Sequence, residues 1–302
     1  MNVEQIVKSL TDNGFAFQVA GRCDTQIVGF SSIYNYKPDT ITWLRKVETL
    51  QAEDFVYPAE IACLITGMDA PDIDIAVCQI KVKDPRAAFF FVVDTFWGEE
   101  TNTGISPKAF IEEGASIGSG TQIGAYTAIS SQATIGKDCK IGNNVSICGR
   151  VHIGDRCVIQ SGAVIGEDGF AHTTGENGDL VFVKHYGGVW IGDDVSIGSC
   201  TCVCRGTIDD TVLMNMCKVD NLCHIAHNVV LGERVRVIAG AVVMGSVHVG
   251  KDSWVATSMI RDQRNVGEKA VIGMGAVVVK DVPDGVTVAG NPAKVFERKE
   301  KI

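Results

Sequence analysis

The chain has 302 residues, 46% hydrophobic and 21% charged, which is long enough for two packed domains. Its 27 Lys and Arg against 36 Asp and Glu give a formal charge of -9, which argues against nonspecific nucleic-acid binding and leaves small-molecule chemistry open. No uncharged apolar run long enough for a membrane span is evident, and no basic, apolar leader marks export, so a cytoplasmic protein is expected.

Residues 1–100 read as a small α/β domain. Val3–Leu10 has the pattern of a short amphipathic helix, whereas Gln26–Phe30 and Thr40–Leu44 read as strands. Ala59–Thr66 and Ala87–Val93 are further apolar elements, the second helical, and Pro58, Pro71 and Pro85 punctuate them.

A different regime begins near residue 101. Ile117-Gly118, Ile123-Gly124, Ile135-Gly136, Ile141-Gly142, Ile153-Gly154 and Ile165-Gly166 share one register, and Ile129, Ile147 and Ile159 fill its gaps. The residue two before each isoleucine is usually small, as at Ala115, Thr121, Cys139 and Ala163. A period of six with dense glycine, threonine and valine excludes helix and specifies a mainly β protein, a parallel β-helix of hexapeptide repeats. Three hexads make a triangular coil of 18 residues, with coils stacked about 4.8 Å apart. Each coil buries its apolar floor only against its neighbours.

The register breaks after Gly166, and residues 167–190 read as a protruding loop. It resumes at Ile191-Gly192, is interrupted by a ten-residue interval between Val203 and Leu213, and again by eleven residues between Val255 and Val266. Insertions between repeats usually gather on one functional face. The solenoid is expected over 101–282, with a cap or short helix over 283–302. The eleven cysteines follow no secreted framework, and Cys200, Cys202 and Cys204 lack CxxC spacing, so reduced buried thiols are expected and no metal is required. No Walker loop or dinucleotide-binding glycine motif is evident.

The stretch 205–248 carries a specific resemblance. Arg205-Gly206, Asp209-Asp210-Thr211, Asp220-Asn221 and Ile225-Ala226-His227-Asn228-Val229-Val230 resemble the LpxD family, UDP-3-O-acylglucosamine N-acyltransferases of lipid A synthesis. The loop beginning Gly169-Phe170 is similar as well, and Ile27–Ser32 with Thr40-Ile41-Thr42-Trp43 resembles that family's uridine-binding domain. The family's C-terminal helical extension is not evident. Instead Val278-Val279-Lys280-Asp281-Val282-Pro283 and Gly290-Asn291-Pro292-Ala293-Lys294 resemble hexapeptide acetyltransferases that use acetyl-CoA. The resemblance implies a left-handed β-helix, a homotrimer with active sites between subunits, and N-acylation of a nucleotide-linked amino sugar. Acetyl-CoA or another acyl-CoA is the donor first expected. The alternative is a 3-hydroxyacyl thioester on acyl carrier protein, and a noncatalytic nucleotide-binding scaffold is the competing class.

Acyl transfer from a thioester needs a base, and the resemblance gives that role to His227, whose imidazole suits neutral pH. Eighteen residues on, Gly245 stacks beside it in a regular coil; the resemblance assigns its amide to the oxyanion, although a simple turn glycine explains it equally from the residues alone. Eighteen residues back, Asp209 is the candidate to orient the imidazole, with Asp210 and Asp220 as competitors. Asn228 is a candidate to orient donor or acceptor groups, and Asp220-Asn221 either contact substrate or satisfy turn amides. His224 reads as a packing residue in preference to a substrate contact, whereas His185 and Tyr186 either touch the sugar nucleotide or belong to a solvated loop. In the first domain Trp43 matches the uracil-stacking position, with Asn35 and Arg45 as base or phosphate contacts. Asn291, Pro292 and Lys294 are placed by resemblance at the CoA pantetheine or phosphate.

Overall fold

The computed structural model of the protein describes residues 1–47, 60–98 and 104–295. It contains two compact units, Met1–Thr101 and Asn102–Ile302.

In the first unit, helix α1 (Val3–Asp12) starts at a capping box: Asn2 Oδ1 accepts from Gln5 N at 3.2 Å while Gln5 Oε1 accepts from Asn2 N at 2.9 Å. Its apolar face buries Val3, Ile6 and Leu10. Strands β1 (Phe17–Gly21), β2 (Gly29–Phe30), β3 (Thr40–Trp43), β4 (Cys63–Gly67) and β5 (Cys78–Val82) form one sheet in the order β1-β5-β4-β3-β2. Only the β1–β5 pairing is antiparallel. Helix α2 (Pro85–Trp97) begins at Asp84, whose carboxylate accepts from Ala87 N at 3.0 Å, with Pro85 in the first turn where its missing N–H costs nothing. Ala88, Phe89 and Val92 share a core with Ile41, Ile65 and Ile80. The strand expected over Gln26–Phe30 shrinks to Gly29–Phe30, because Gln26 instead forms an isolated bridge with Asn2. Pro58 and Ala59 lie outside the described residues.

The second unit is a left-handed parallel β-helix with three faces. Face I runs through Ser116–Ile117, Thr134–Ile135, Val151–Ile153, Val189–Ile191, Thr211–Leu213, Val230–Leu231, His248–Val249 and Asn265–Val266. Face II begins at Gln122–Ile123 and ends with Val271–Ile272 and Thr287–Ala289, followed by the antiparallel Lys294–Val295. Face III runs from Phe110–Ile111 through Val164–Ile165, Cys202–Val203, His224–Ile225, Val242–Val243 and Met259–Ile260 to Val277–Val278. The repeat isoleucines and valines stack inward as one continuous core. Small polar residues join it: buried Thr127 donates to Gly142 O at 2.7 Å and accepts from Val145 N at 3.1 Å, so its hydroxyl welds two coils.

Three expectations about the solenoid change. Residues 167–188 leave the body, and part of them is ordered as a hairpin of His172–Thr174 against Leu180–Phe182; face I resumes at Val189. The eleven-residue interval before Val266 hides a strand, Met259–Ile260, which pairs with Val242–Val243. The coil there has 17 residues, one fewer than the standard repeat. The parallel ladder also continues beyond residue 282, since Thr287–Val288 pair with Val271–Ile272; the described tail is strand and turn, and no helix occurs among its described residues. Of the eleven thiols, seven are buried, but Cys200 and Cys202 are exposed.

Candidate active site

The corner joining face III to face I gathers the two long insertions of the solenoid. The 167–188 excursion leaves Val164–Ile165 and returns at Val189, and the shorter 204–210 excursion links Cys202–Val203 to Thr211–Leu213. His227 and Gly245 occupy the same corner on the next two coils. Those coils have the regular 18-residue step, with His224 opposite Val242 and Ile225 opposite Val243.

His227 is partly exposed and held on one side. Its Nδ1 lies 3.1 Å from Asn228 Oδ1, which also accepts from Thr207 N at 3.1 Å and Thr207 Oγ1 at 2.8 Å. Thr207 N–H can only donate, so the Asn228 atom is an acceptor, and His227 Nδ1 carries the proton. Nε2 is left with its lone pair, the state a general base needs. Asn228 has φ 59, which turns its side chain back into the corner; its N–H donates to Thr211 Oγ1 at 2.9 Å and its Nδ2 donates to Asp209 O at 3.1 Å.

Gly245 lies over the other edge of the ring. A Cβ there would stand 2.7 Å from both His227 Cε1 and Nε2, so only glycine leaves the space free. Its backbone is knitted into the coil stack: Ser246 N donates to His227 O and Gln263 N to Gly245 O, both at 2.9 Å. The amide of Gly245 itself has no hydrogen bond to any described residue. On several other coils this outward amide is capped from the next coil, as Lys137 N by Asp155 Oδ1 at 2.8 Å and Ser199 N by Asn221 Oδ1 at 2.6 Å, whereas at Ser161, Glu233, Lys251 and Thr257 it is uncapped as at Gly245. The corresponding Asp262 faces Arg261 Nε instead, at 3.6 Å. An uncapped amide beside an imidazole lone pair is the pairing that acyl transfer requires.

The long loop closes the corner from below. Gly188 N donates to Asp210 Oδ1 at 2.7 Å, Arg150 forks onto the same carboxylate at 2.6 and 3.0 Å, and Arg205 Nε donates to Gly187 O at 2.7 Å. This anchoring brings His185 to 1% exposure, with its ring 5.4 Å from that of His227. The solvated-loop reading therefore fails for His185, whereas Tyr186 beside it is exposed. His224 lies on face III, where burial and then the neighbouring His227 hold its pKa below the ordinary imidazole value.

Other candidates land elsewhere. The acceptor at the imidazole is Asn228, not Asp209: the latter is exposed and joins the cluster through its main-chain carbonyl, while Asp210 binds Arg150. Asp220 and Asn221 sit at the corner between faces II and III, where Asp220 accepts from Asn221 N and Ala239 N, and Asn221 caps Ser199 N. They satisfy turn amides and lie away from the His227 corner. Asn291, Pro292 and Lys294 are exposed at the last strand pair of face II, with no contact to His227. Thr207, Arg205 and Gly169 are structural members of the site whose roles depend on contacts too distant in sequence for spacing to reveal.

The first unit has a separate cleft of about 850 Å³, lined by Phe15, Trp43, Arg45, Lys83, Asp84 and Arg86 among others. Trp43 packs against Phe89 at 6.3 Å between ring centroids, so one part of it serves the core while the cleft takes another. Asn35 is exposed on a short 3-10 turn, capped by Ser32, and does not line this cleft. No described helix is long and apolar enough to cross a membrane.

Residues 132–167 match the bacterial transferase hexapeptide (six repeats) family. The chain is 40% identical over 147 residues to a UDP-3-O-acylglucosamine N-acyltransferase of Caulobacter sp. (strain K31), covering 48% of this chain and 43% of that protein. It is 36% identical over 149 residues to the enzyme of that name from Wolinella succinogenes, covering 49% and 46%. The chain thus spans less than half the length of these curated relatives. Among solved structures, LpxA from Acinetobacter baumannii is 30% identical with a TM-score of 0.57, covering 64% of this chain and 73% of that one. UDP-N-acetylglucosamine acyltransferase from Campylobacter jejuni is 26% identical with a TM-score of 0.58, over the same shares. With its repeat register, its corner histidine and these similarities, the chain is an LpxD-like hexapeptide-repeat protein, similar to UDP-3-O-acylglucosamine N-acyltransferases over about half its length.

Proposed function

We propose that the protein is an N-acyltransferase that moves an acyl group from a carrier thioester to the amine of a UDP-linked glucosamine derivative. The observation that carries this reading is the corner where His227, with its tautomer set by Asn228, lies against Gly245, whose amide is uncapped and whose missing side chain leaves space beside Nε2. The amine nitrogen attacks the thioester carbonyl, and the new C–N bond forms as its proton passes to His227 Nε2. The Gly245 N–H donates to the developing oxyanion. The C–S bond then breaks, and the imidazolium returns the proton to the departing thiolate. The carboxylate of Asp209 has no part in these steps.

The names of the curated relatives favour UDP-3-O-acylglucosamine as acceptor, and with that acceptor the proposed donor is the 3-hydroxyacyl group on acyl carrier protein implied by the resemblance at 225–230, over the acetyl-CoA suggested by Asn291, Pro292 and Lys294. The cleft of the first unit supports a UDP-sugar: Trp43 offers a flat apolar face, and Arg45, Lys83 and Arg86 offer positive charge to a diphosphate. The proposed assembly is a homotrimer, and the proposed location is the cytoplasm.

The test is thiol release by the full chain with UDP-linked amino sugars, supplied separately with 3-hydroxyacyl carrier protein and with acetyl-CoA. Turnover with the carrier thioester and a loss of roughly 10²–10⁴-fold in H227A are expected. Turnover with acetyl-CoA alone would reject the donor, and H227A at wild-type rate would reject the base.

A further inference from the structure

His185 carries the strongest unexplained observation in the molecule. It is 1% exposed, its Nδ1 lies 2.9 Å from Val183 O, and its Nε2 is buried with no hydrogen-bond partner. A main-chain carbonyl only accepts, so Nδ1 bears the proton and Nε2 bears a lone pair. A buried acceptor without a donor costs about 1–3 kcal/mol. Such a group calls for an account of what it faces.

It faces His227. The two rings meet edge to face, 5.4 Å between centroids at 81°. Gly169 locates the lone pair more closely: a Cβ on that residue would lie 3.1 Å from His185 Nε2 and 3.0 Å from His227 Cδ2. The unpaired nitrogen and the edge of the His227 ring thus border one small space, kept open by a glycine. On its far side His185 is stacked on Phe182, 6.2 Å away at 14°, which fixes the ring plane.

We propose that His185 is a positioning residue for the acyl transfer, whose buried lone pair is the negative end of a fixed dipole that holds the His227 ring and stabilises the imidazolium formed there during the reaction. No proton moves to His185; the one taken from the amine resides on His227 and leaves with the thiol. Removal from water keeps the dipole unscreened, and the Val183 carbonyl keeps it oriented, so little reorganisation accompanies charge formation. The other charged or titratable groups around His227 are His224 on its own coil, Asp209 and the Arg150–Asp210 pair beside the short excursion, the Asp168–Arg205 pair in the loops, and Arg261 with Asp262 on the coil above Gly245. The carboxylates in this set are paired with arginine or, at Asp209, exposed, so the polar groups directly against the ring are the Asn228 amide at Nδ1 and the His185 imidazole at its other edge.

The base role of His227 rests on the proposed function, but the coupling of the two rings does not, and the experiment separates them. Imidazole NMR titrations would be recorded on the full-length wild type, H185F and H185Q without substrate, with H227A used for assignment. H185F keeps a flat ring against Phe182 and removes the lone pair; Gln offers a carbonyl oxygen in its place. The expected result is a His227 midpoint about one pH unit lower in H185F and restored in part by H185Q. In turnover, the acid limb of kcat/KM moves the same way while the plateau falls about tenfold. An unchanged His227 midpoint in folded H185F overturns the proposal. Should H185F not fold, the wild-type tautomer decides: Nε2 unprotonated from pH 6 to 9 supports it, and a proton on Nε2 overturns it. Absence of thiol release with every donor, alongside the midpoint shift, would reject the proposed function and leave the ring coupling standing.

Discussion

A single missing methyl group controls the geometry around His227. In G245A the new carbon would meet Cε1 and Nε2 at 2.7 Å, well inside contact distance, so the ring must tilt or the coil must shift. Either movement separates the base from the amide across which a carbonyl has to sit. A loss of about 10²-fold or more in kcat is expected, with substrate KM much less affected; wild-type kcat in a folded G245A protein would remove this amide from the mechanism. The pairing of residues 227 and 245 was legible from spacing because the coil between them keeps the 18-residue step. The same arithmetic failed for Asp209, since the coil from Ile191 to Leu213 takes 22 residues and its extra ones bulge at the corner. Asn228 supplies the acceptor instead, because its φ of 59 folds the side chain back beside its own neighbour. The burial of His185 had no sequence signal: it depends on Arg205 and Asp210 tying down the end of the long loop.

At the scale of the repeating coil, apolar stacking explains most of the solenoid, and a few small polar side chains explain how its turns stay in step. Thr127 is fully buried, donates to the carbonyl of Gly142 and accepts from the amide of Val145 on the next turn. Thr127→Val has almost the same shape but abandons both groups. A loss of about 2 kcal/mol in unfolding free energy is expected, whereas Thr127→Ser, which keeps the hydroxyl, should lose less. Chemical denaturation with a common slope would measure the difference, and equal losses would show that the methyl group matters more than the hydroxyl. The six-residue period made these inward positions readable. It could not reveal Met259–Ile260, because one residue is missing from that turn and the aliphatic position arrives early. Parallel pairing absorbs the deletion at the corner, where chain length is less constrained than in the ladders.

For the whole molecule, the net charge of -9 hides a local reversal: Arg45, Lys83 and Arg86 gather around the Trp43 cleft. Composition gave no hint of this, since residues 45 and 83 to 86 are brought together only by the sheet order, with β5 leading into the start of α2. On the proposed function the Trp43 cleft holds the nucleotide and the His227 corner does the chemistry, and the two belong to different compact units. Their variants should therefore differ in kinetic character. Base stacking on an aromatic ring contributes about 1–3 kcal/mol, so W43A in the full chain is expected to raise KM for the UDP-linked sugar by about tenfold or more while leaving kcat near wild type. H227A should do the reverse. Trp43 also touches Phe89 in the core, so W43F serves as the control that keeps a ring in place and should recover much of the affinity. A W43A protein that binds UDP-sugar as tightly as wild type would assign the indole to packing alone; a matched fall in kcat would mean that the cleft takes part in aligning the amine, and the division of labour between the two units would have to be abandoned.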